Sequence, residues 1–543
     1  MRKRGSAPVP PFEANELPPK KVAWLNPWQL VRTAYHVYLS TVAVEFLDRR
    51  ETLAALDVDR VPREATPDAV VNCAEVADAF VRVPADGLWI DYVADIGDSW
   101  EATYSIATLL VTPELRVRGH DHTLRPADIV VLGGDLVYPT PSRDGYRRRT
   151  RSALLAARPT PNGHDPGLFA IPGNHDWYDG LTNFVREFCQ GQRIGGWSMF
   201  QRRSYFAVKL MPKWWLWGID IALDTRIDMP QQAYFRKVMR DSEPAGSKRG
   251  GEEMFEAGDN IILCTAKPAW MDGEADSDAY RNLSYFVQEI VKKTVSNKKP
   301  GDVRVILAGD IHNYSRYQNK EGDQMITAGG GGSYLMGTHH LPRTIPDLRL
   351  PAGEPDLEGD TVSDNAKRQV AYGAADFPYP SRSVSWSLSL RTLLLAFRPA
   401  NWPFVLFVGS VYWFLAWELR QLGSNVLTLS FKILTEGNVA LTPAATAVFF
   451  TTLAVLITSA FVAAASNRQA WRWFTVPWGL AHGVGHLFLA VFLAHLIHEW
   501  PRLRRWADVL PFETGAVSTV FSIILILVGG VAGATLVGIY FVL

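Results

Sequence analysis

Four short peptides carry side chains that could do chemistry together: DIG at residues 95–97, GDLVY at 134–138, GNHDW at 173–177 and GDIH at 309–312. They offer the carboxylates of Asp95, Asp135, Asp176 and Asp310, the amide of Asn174, the phenol of Tyr138 and the imidazoles of His175 and His312. Oxygen donors mixed with imidazole suit Mn, Fe, Zn or Mg, and two such ions can share one bridging carboxylate. An apolar, β-rich run precedes each peptide: LWIDYVA, ADIVVLG, GLFAIP and VRVILA. Each donor set is therefore expected where a strand ends and a loop begins. A layered α/β protein brings distant parts of its chain to one site in this way.

The order D-x-G, GD-x-x-Y, GNHD and a late G-x-x-H resembles the calcineurin-like metallophosphoesterase superfamily. Gly97 and Tyr138 are similar to the variants of its purple-acid-phosphatase-like branch. The resemblance covers residues 89–338 and implies an α/β (α+β) fold, a four-layer β-sandwich flanked by helices. It implies that Asp95 and His312 ligate a first metal, that Asp135 bridges two, and that Asn174 ligates the second through its amide oxygen. Tyr138 stands where the purple enzymes put a tyrosinate on ferric iron. His175 resembles the histidine that faces the substrate and assists the leaving oxygen, and Asp176 would orient it. The implied cofactors are divalent or trivalent metal ions, two in number. The implied reaction is hydrolysis of a phosphate mono- or diester by metal-activated water.

The sequence departs from the family pattern at two places. Asp310 stands where the family usually has the first histidine of GHxH; a carboxylate there favours a harder ion. In IILCTAKPAW (261–270), Ala266 and Lys267 precede Pro268 where the family commonly has a histidine. The Lys267 ammonium could replace part of a metal's charge and bind phosphate directly. Asp98 and the pair His339 and His340 are possible substitute ligands. A degenerate sensor or scaffold that keeps the fold is the competing reading. The glycine-rich AGGGGSYLMGTHH (328–340) does not follow the strand–loop–lysine pattern of a phosphate-binding loop. It reads as backbone passing close to the metals.

Net charge is zero, and no basic–aromatic stripe or zinc-finger spacing appears, so nucleic acid is not an expected partner. Three cysteines without CxxC spacing argue against a disulfide framework. From residue 401 onward there are seven Lys/Arg and five Asp/Glu, against 55 of each in the whole chain. The front is polar and the back apolar. Residues 444–465, 476–497 and 517–543 each have the roughly 20 apolar residues that a bilayer span needs, and 403–417 is a shorter fourth. Trp402, Trp417, Trp473, Trp478 and Trp500 lie near the span ends, as interface belts prefer. Within the span 476–497, His482 and His486 share a face at i,i+4. Metal or haem ligation and cross-helix hydrogen bonding both fit that spacing.

The expected organisation is a flexible tail (1–21), a helical extension (22–85), a phosphoesterase domain (86–345), a linker (346–400) and a membrane domain (401–543) of about four transmembrane helices. Asn26 and Pro27 read as the cap and first position of a helix packed on the enzyme domain, with a membrane-surface helix as the alternative. The N-terminus, basic and Pro-rich without an apolar core, is not a secretory signal. These features predict an integral membrane protein, of the plasma membrane, with its catalytic domain on the cytoplasmic side. The lipid bilayer and a phosphate ester, with a lipid-linked ester as one candidate, are its expected partners.

Overall fold

The computed structural model describes residues 17–42, 70–71, 79–81, 87–117, 121–161, 165–191, 193–221, 227–240, 255–256, 258–271, 278–292, 301–345, 372–375, 378–420, 472–507 and 514–540. The chain divides into two compact units, Met1–Val22 with Thr33–Arg382 and Ala23–Arg32 with Ser383–Leu543.

The first unit is built on two sheets. The smaller is parallel throughout: Ile90–Val93, Ile129–Leu132, Gly167–Ala170 and Ser198–Met199, in that order. The larger has ten strands. At its centre Phe206–Met211 and Trp214–Gly218 form an antiparallel pair, and Asn260–Cys264, Asp302–Ala308 and Gln324–Ala328 continue it in parallel. Strands buried on both faces must be apolar on both, and here alternate residues serve different cores. Ile129, Val131, Phe169, Phe206, Val208 and Leu216 meet between the sheets. Val130, Leu132, Leu168 and Ala170 turn the other way, onto Ala107, Leu154, Phe184 and Phe188 of flanking helices. Trp215, Trp217, Ile261 and Leu263 face Phe235, Val238, Leu283 and Phe286 on the far side. The result is helix, sheet, sheet, helix: the four-layer sandwich that the motifs imply.

Two expected segments differ from this picture. Of residues 22–85, Pro27–Val42 is a helix, capped by Asn26 Oδ1, which accepts from the Trp28 and Gln29 amides at 3.0 and 3.2 Å. Val70–Val71 and Ala79–Val81, however, are strands, and the second pairs in parallel with Phe206–Met211. Strands of two and three residues are too short for alternation to announce them. The region read as a linker contains a strand at Tyr372–Ala374 and a helix at Arg382–Arg391; residues 346–371 lie outside the described residues. Of the tail, residues 17–21 are described. Arg148 and Arg149 donate to the Leu17 and Lys20 carbonyls, each at 3.0 Å, and tie that segment down.

The second unit holds the helices Trp402–Arg420, Arg472–Ala507 and Thr514–Tyr540. Among the described residues three segments are long and apolar enough to cross a membrane: Pro399–Trp417, Ala481–Pro501 and Val517–Ile539. The expected span at 444–465 lies outside the described residues. Small residues let the helices approach: a side chain added at Gly409 or Gly530 would meet the facing backbone of Ile526 or Val405. His486 bonds the Tyr412 hydroxyl through Nδ1 and lies 3.0 Å from His482 Nε2 through its own Nε2. The two histidines thus extend a hydrogen-bonded chain from one helix to its neighbour.

Candidate metal centre

The three motifs of the small sheet follow adjacent parallel strands whose last residues, Val93, Leu132 and Ala170, lie in register. Their loops therefore emerge side by side. The Asp95 amide donates to the Gly134 carbonyl at 3.0 Å, joining the first two loops. The fourth motif follows Asp302–Ala308 of the other sheet, and its Asp310 amide donates to the Asp95 carboxylate at 3.1 Å. Each donor set thus sits at a strand end.

At the meeting point Asp95, Asp135 and His312, all buried, each present one donor atom, and these lie within 4.8 Å of one another. The Tyr138 hydroxyl stands among them, 3.2 Å from Asp95 Oδ1, 3.1 Å from Asp135 Oδ2 and 3.0 Å from His312 Nε2. His312 Nε2 is 3.5 Å from Asp95 Oδ1. Ligands bound at about 2.0–2.2 Å to one ion stand about 3.0–3.5 Å apart, which is the spacing of the Tyr138 hydroxyl from its three neighbours and of His312 from Asp95.

The electrostatics point the same way. Burial, then Asp135 and Asp310, hold the Asp95 carboxyl well above the usual carboxylate range. Burial and the same carboxylates push the Tyr138 phenol up. Burial lowers the His312 imidazole to about 4, so its ring is neutral near pH 7. Its Nδ1 lies 2.9 Å from the Tyr334 carbonyl, which can only accept. Nδ1 therefore carries the proton and Nε2 turns a lone pair toward the cluster, the arrangement of a ligating histidine. A cation relieves each of these strains at once.

Asn174 is the next candidate donor, one residue after Gly173. Its Nδ2 donates to the Tyr178 hydroxyl at 3.1 Å, and its Oδ1 is buried without a hydrogen-bond partner. A buried acceptor left unpaired is costly, and a second ion is what an amide oxygen there would hold. The donor set thus fits the metals that the motifs imply.

His175 is fixed from three directions. Its amide donates to Asp135 Oδ1 at 2.9 Å, its Nδ1 lies 2.8 Å from the Pro139 carbonyl, and its ring packs on Tyr138 and Tyr178 with centroids 4.4 and 5.0 Å away. Nδ1 is the donor here too, which leaves Nε2 for a reacting group. The carbonyl of Pro139, and not Asp176, sets this ring. Asp176 instead braces two loops: it accepts from the Gly173 amide at 2.8 Å, the Leu136 amide at 3.2 Å and the Tyr146 hydroxyl. Burial and nearby Asp135 raise its carboxyl to about 8.

Four residues of the site, Asp95, Asp135, Asp310 and His312, have positive φ, between 39° and 68°. Non-glycine residues rarely adopt this region, and such strain gathers at functional sites. Glycine appears where the chain must come close. A Cβ at Gly329 would lie 2.6 Å from Asp95 Oδ2 and 2.7 Å from the His312 amide, so the glycine-rich loop does run against the cluster. A Cβ at Gly173 would strike Asp135 Oδ1. Gly173→Ala is expected to destabilise the domain by about 1–3 kcal/mol, as overpacking does, which chemical denaturation would measure.

The remaining predicted residues lie elsewhere. Asp98 is buried with its Oδ2 3.5 Å from Lys21 Nζ, so it secures the N-terminal segment. His339 and His340 pack edge-on against each other at 5.3 Å and are not among the three clustered ligands. Asp310 contributes its amide to Asp95, and its charge acts on Asp95 and Tyr138. Ala266 is buried beside Gly134, at the position where an imidazole is commonly found, and half-buried Lys267 follows it. Asp220 is buried and accepts from Trp177 Nε1 at 2.9 Å and the Ser204 hydroxyl at 2.6 Å, anchoring the GNHDW turn. Asp220→Ala would remove the carboxylate acceptor of these two buried donors, and a loss of about 1–3 kcal/mol in urea unfolding is expected. Tyr178, four residues after Asn174 in a short helical turn, was recoverable from that spacing; the Pro139 and Tyr334 carbonyls, being backbone, carry no residue signature.

Residues 88–314 match the family model described as calcineurin-like phosphoesterase. Over these residues the chain has the calcineurin-like phosphoesterase fold. Among solved structures, similarity extends to GAP50, the anchor in the inner membrane complex of Plasmodium, at 11% identity and a TM-score of 0.30, over 46% of this chain and 73% of that one. It also extends to the purple acid phosphatase PPD1 from yellow lupin (Lupinus luteus) seeds, at 14% identity and a TM-score of 0.30, over 47% of each chain. This chain thus spans about half the length of the lupin protein. No curated protein matches the sequence. The phosphoesterase domain carries a group able to hold a metal at Asp95, Asp135 and His312, and apolar helices follow it in the chain.

Proposed function

We propose that the protein is a membrane-anchored, metal-dependent phosphoesterase that hydrolyses a phosphate mono- or diester. The observation that carries this reading is the gathering of Asp95, Asp135, Tyr138 and His312 at coordination spacing beside the unpaired Asn174 amide oxygen. Asp95, Tyr138 and His312 would hold one ion, Asn174 a second, and Asp135 both. Bound there, the ions would supply positive charge to phosphoryl oxygens and acidify a water nucleophile. The chain's own part is acid catalysis and binding. His175, with Nδ1 fixed on a carbonyl, presents Nε2 at the rim of the cluster, where a protonated ring donates to the leaving oxygen. Lys267 adjoins the site in sequence and would pair with the phosphate.

The three bilayer-length helices support an integral membrane location. A plasma membrane with the domain on its cytoplasmic side, and a lipid-linked ester as substrate, extend the proposal. The competing reading, a sensor or scaffold of the same fold, is favoured by Ala266 in place of the second-site imidazole. Metal analysis of the detergent-purified protein, together with hydrolysis of aryl phosphate mono- and diesters, separates the two. About two metals with turnover is the expected result. One metal with turnover assigns the second positive charge to Lys267, and no metal with no turnover establishes the scaffold.

A further inference from the structure

The second unit contains a segment that is inside out by the standards of a protein in water. In residues 382–397, Ser385 and Ser389 are buried, at 1% and 8% exposure. Trp386, Leu390, Leu394 and Phe397 are exposed, at 49%, 53%, 57% and 64%. The spacing of these four, i, i+4, i+8 and i+11, makes one stripe along the helical Arg382–Arg391 and Thr392–Phe397. Small polar residues inside and large apolar residues outside is the pattern of a helix whose outer solvent is lipid.

The segment is held at one end of the apolar bundle. The Thr392 hydroxyl donates to the Gly538 carbonyl at 2.9 Å, near the end of Thr514–Tyr540. Leu395 and Ala396 pack with Phe404 and Val405, at the start of Trp402–Arg420, and with Ala534. Leu25 joins the same cluster, immediately before the Pro27–Val42 helix. That helix is also apolar outward: Trp28, Val31, Tyr35, Tyr38 and Val42 are 59–76% exposed at i, i+3, i+7, i+10 and i+14.

We infer that residues 383–397 and the first turns of the Pro27–Val42 helix, residues 27–32, lie in the plane of the bilayer as an interfacial collar, their exposed side chains seated at the boundary between headgroups and acyl chains. Three features assign lipid as the occupant. The collar is continuous with the bilayer-length helix Pro399–Trp417. Its exposed side chains include Trp28 and Trp386, which favour the membrane–water interface. Residues 23–32 and 383–398 carry Arg32, Arg391 and Arg398 and no carboxylate, which complements lipid phosphates. Interfacial helices of this kind sit about 5–10 Å into the boundary. The inference rests on the proposed membrane location.

The test places nitroxide labels on single-cysteine variants of the full chain in phospholipid nanodiscs, with Cys73, Cys189 and Cys264 replaced by alanine. Leu390→Cys, Leu394→Cys and Val31→Cys report the collar. Phe407→Cys and Val528→Cys, on exposed positions of the apolar helices, report the anchoring itself. Lys320→Cys, on the phosphoesterase domain, reports water. Collar labels are expected to collide more with oxygen than with a water-soluble nickel chelate, at depths shallower than Phe407 and Val528. Collar labels matching Lys320 while Phe407 and Val528 remain in lipid would overturn the collar alone. Collar labels shielded from both reagents would show protein covering the stripes and also overturn it. Nickel access at Phe407 and Val528 would overturn the membrane location, and the collar with it.

Discussion

His175→Ala is expected to lower turnover by about 10²–10⁴-fold, the usual contribution of a positioned general acid, while metal content stays at the parent level. The two effects separate because of where the ring sits. His175 touches the cluster through its amide, which Asp135 accepts, and that bond survives the substitution. The imidazole is oriented by Pro139 and two tyrosine rings and is not among the three clustered ligands. Kinetics on a single preparation, with metal measured on the same sample, checks both halves. Near-normal turnover removes His175 from the mechanism, and loss of metal makes it a ligand.

Asp135→Asn should have opposite effects on the metal-free and metal-loaded protein. Asp135 is a leading cause of the raised Asp95 carboxyl and of the raised Tyr138 phenol. Neutralising it removes that repulsion; the amide oxygen can still accept from the His175 amide, and the Tyr138 hydroxyl can accept from the new Nδ2. The metal-free variant is therefore expected to melt above the metal-free parent. The parent gains stability on loading, about 2.7 kcal/mol at metal concentrations a hundredfold above Kd, whereas the variant, without its bridging carboxylate, gains little and turns over poorly. Thermal melts with and without chelator read all four states. An equal metal-dependent rise in Tm for both proteins would refute the bridging role.

Much of this site was legible because its donors sit in four contiguous peptides, each announced by an apolar run. Asp95, Asp135, Tyr138 and His312 came from sequence and meet in space. The four layers were legible through the resemblance that those motifs carry, and the alternation of Ile129, Val130, Val131 and Leu132 between two cores bears them out. What escaped was set by distance along the chain or by backbone. Asp176 stood beside His175 in sequence and was read as its partner, yet it bonds Tyr146, 30 residues away. Asp98, three residues from Asp95, turns to Lys21. Proximity in sequence is a poor guide in a loop, where successive side chains diverge and a ligand's neighbour can serve the fold instead. The outward stripe of Pro27–Val42 was visible as periodicity, but periodicity names a face without saying what lies against it.

The positive φ angles of Asp95, Asp135, Asp310 and His312 set stability against activity. Glycine or asparagine would occupy these backbone positions with less strain, and each such replacement would also thin a crowd of buried acids or empty a metal position. A directed-evolution campaign that selects only for heat resistance should therefore accumulate changes at these four residues and deliver sturdy proteins that hydrolyse nothing. Retention of the original residues under drift would, by the same reasoning, be a signature of selection for catalysis, readable from a library of survivors without knowing the substrate.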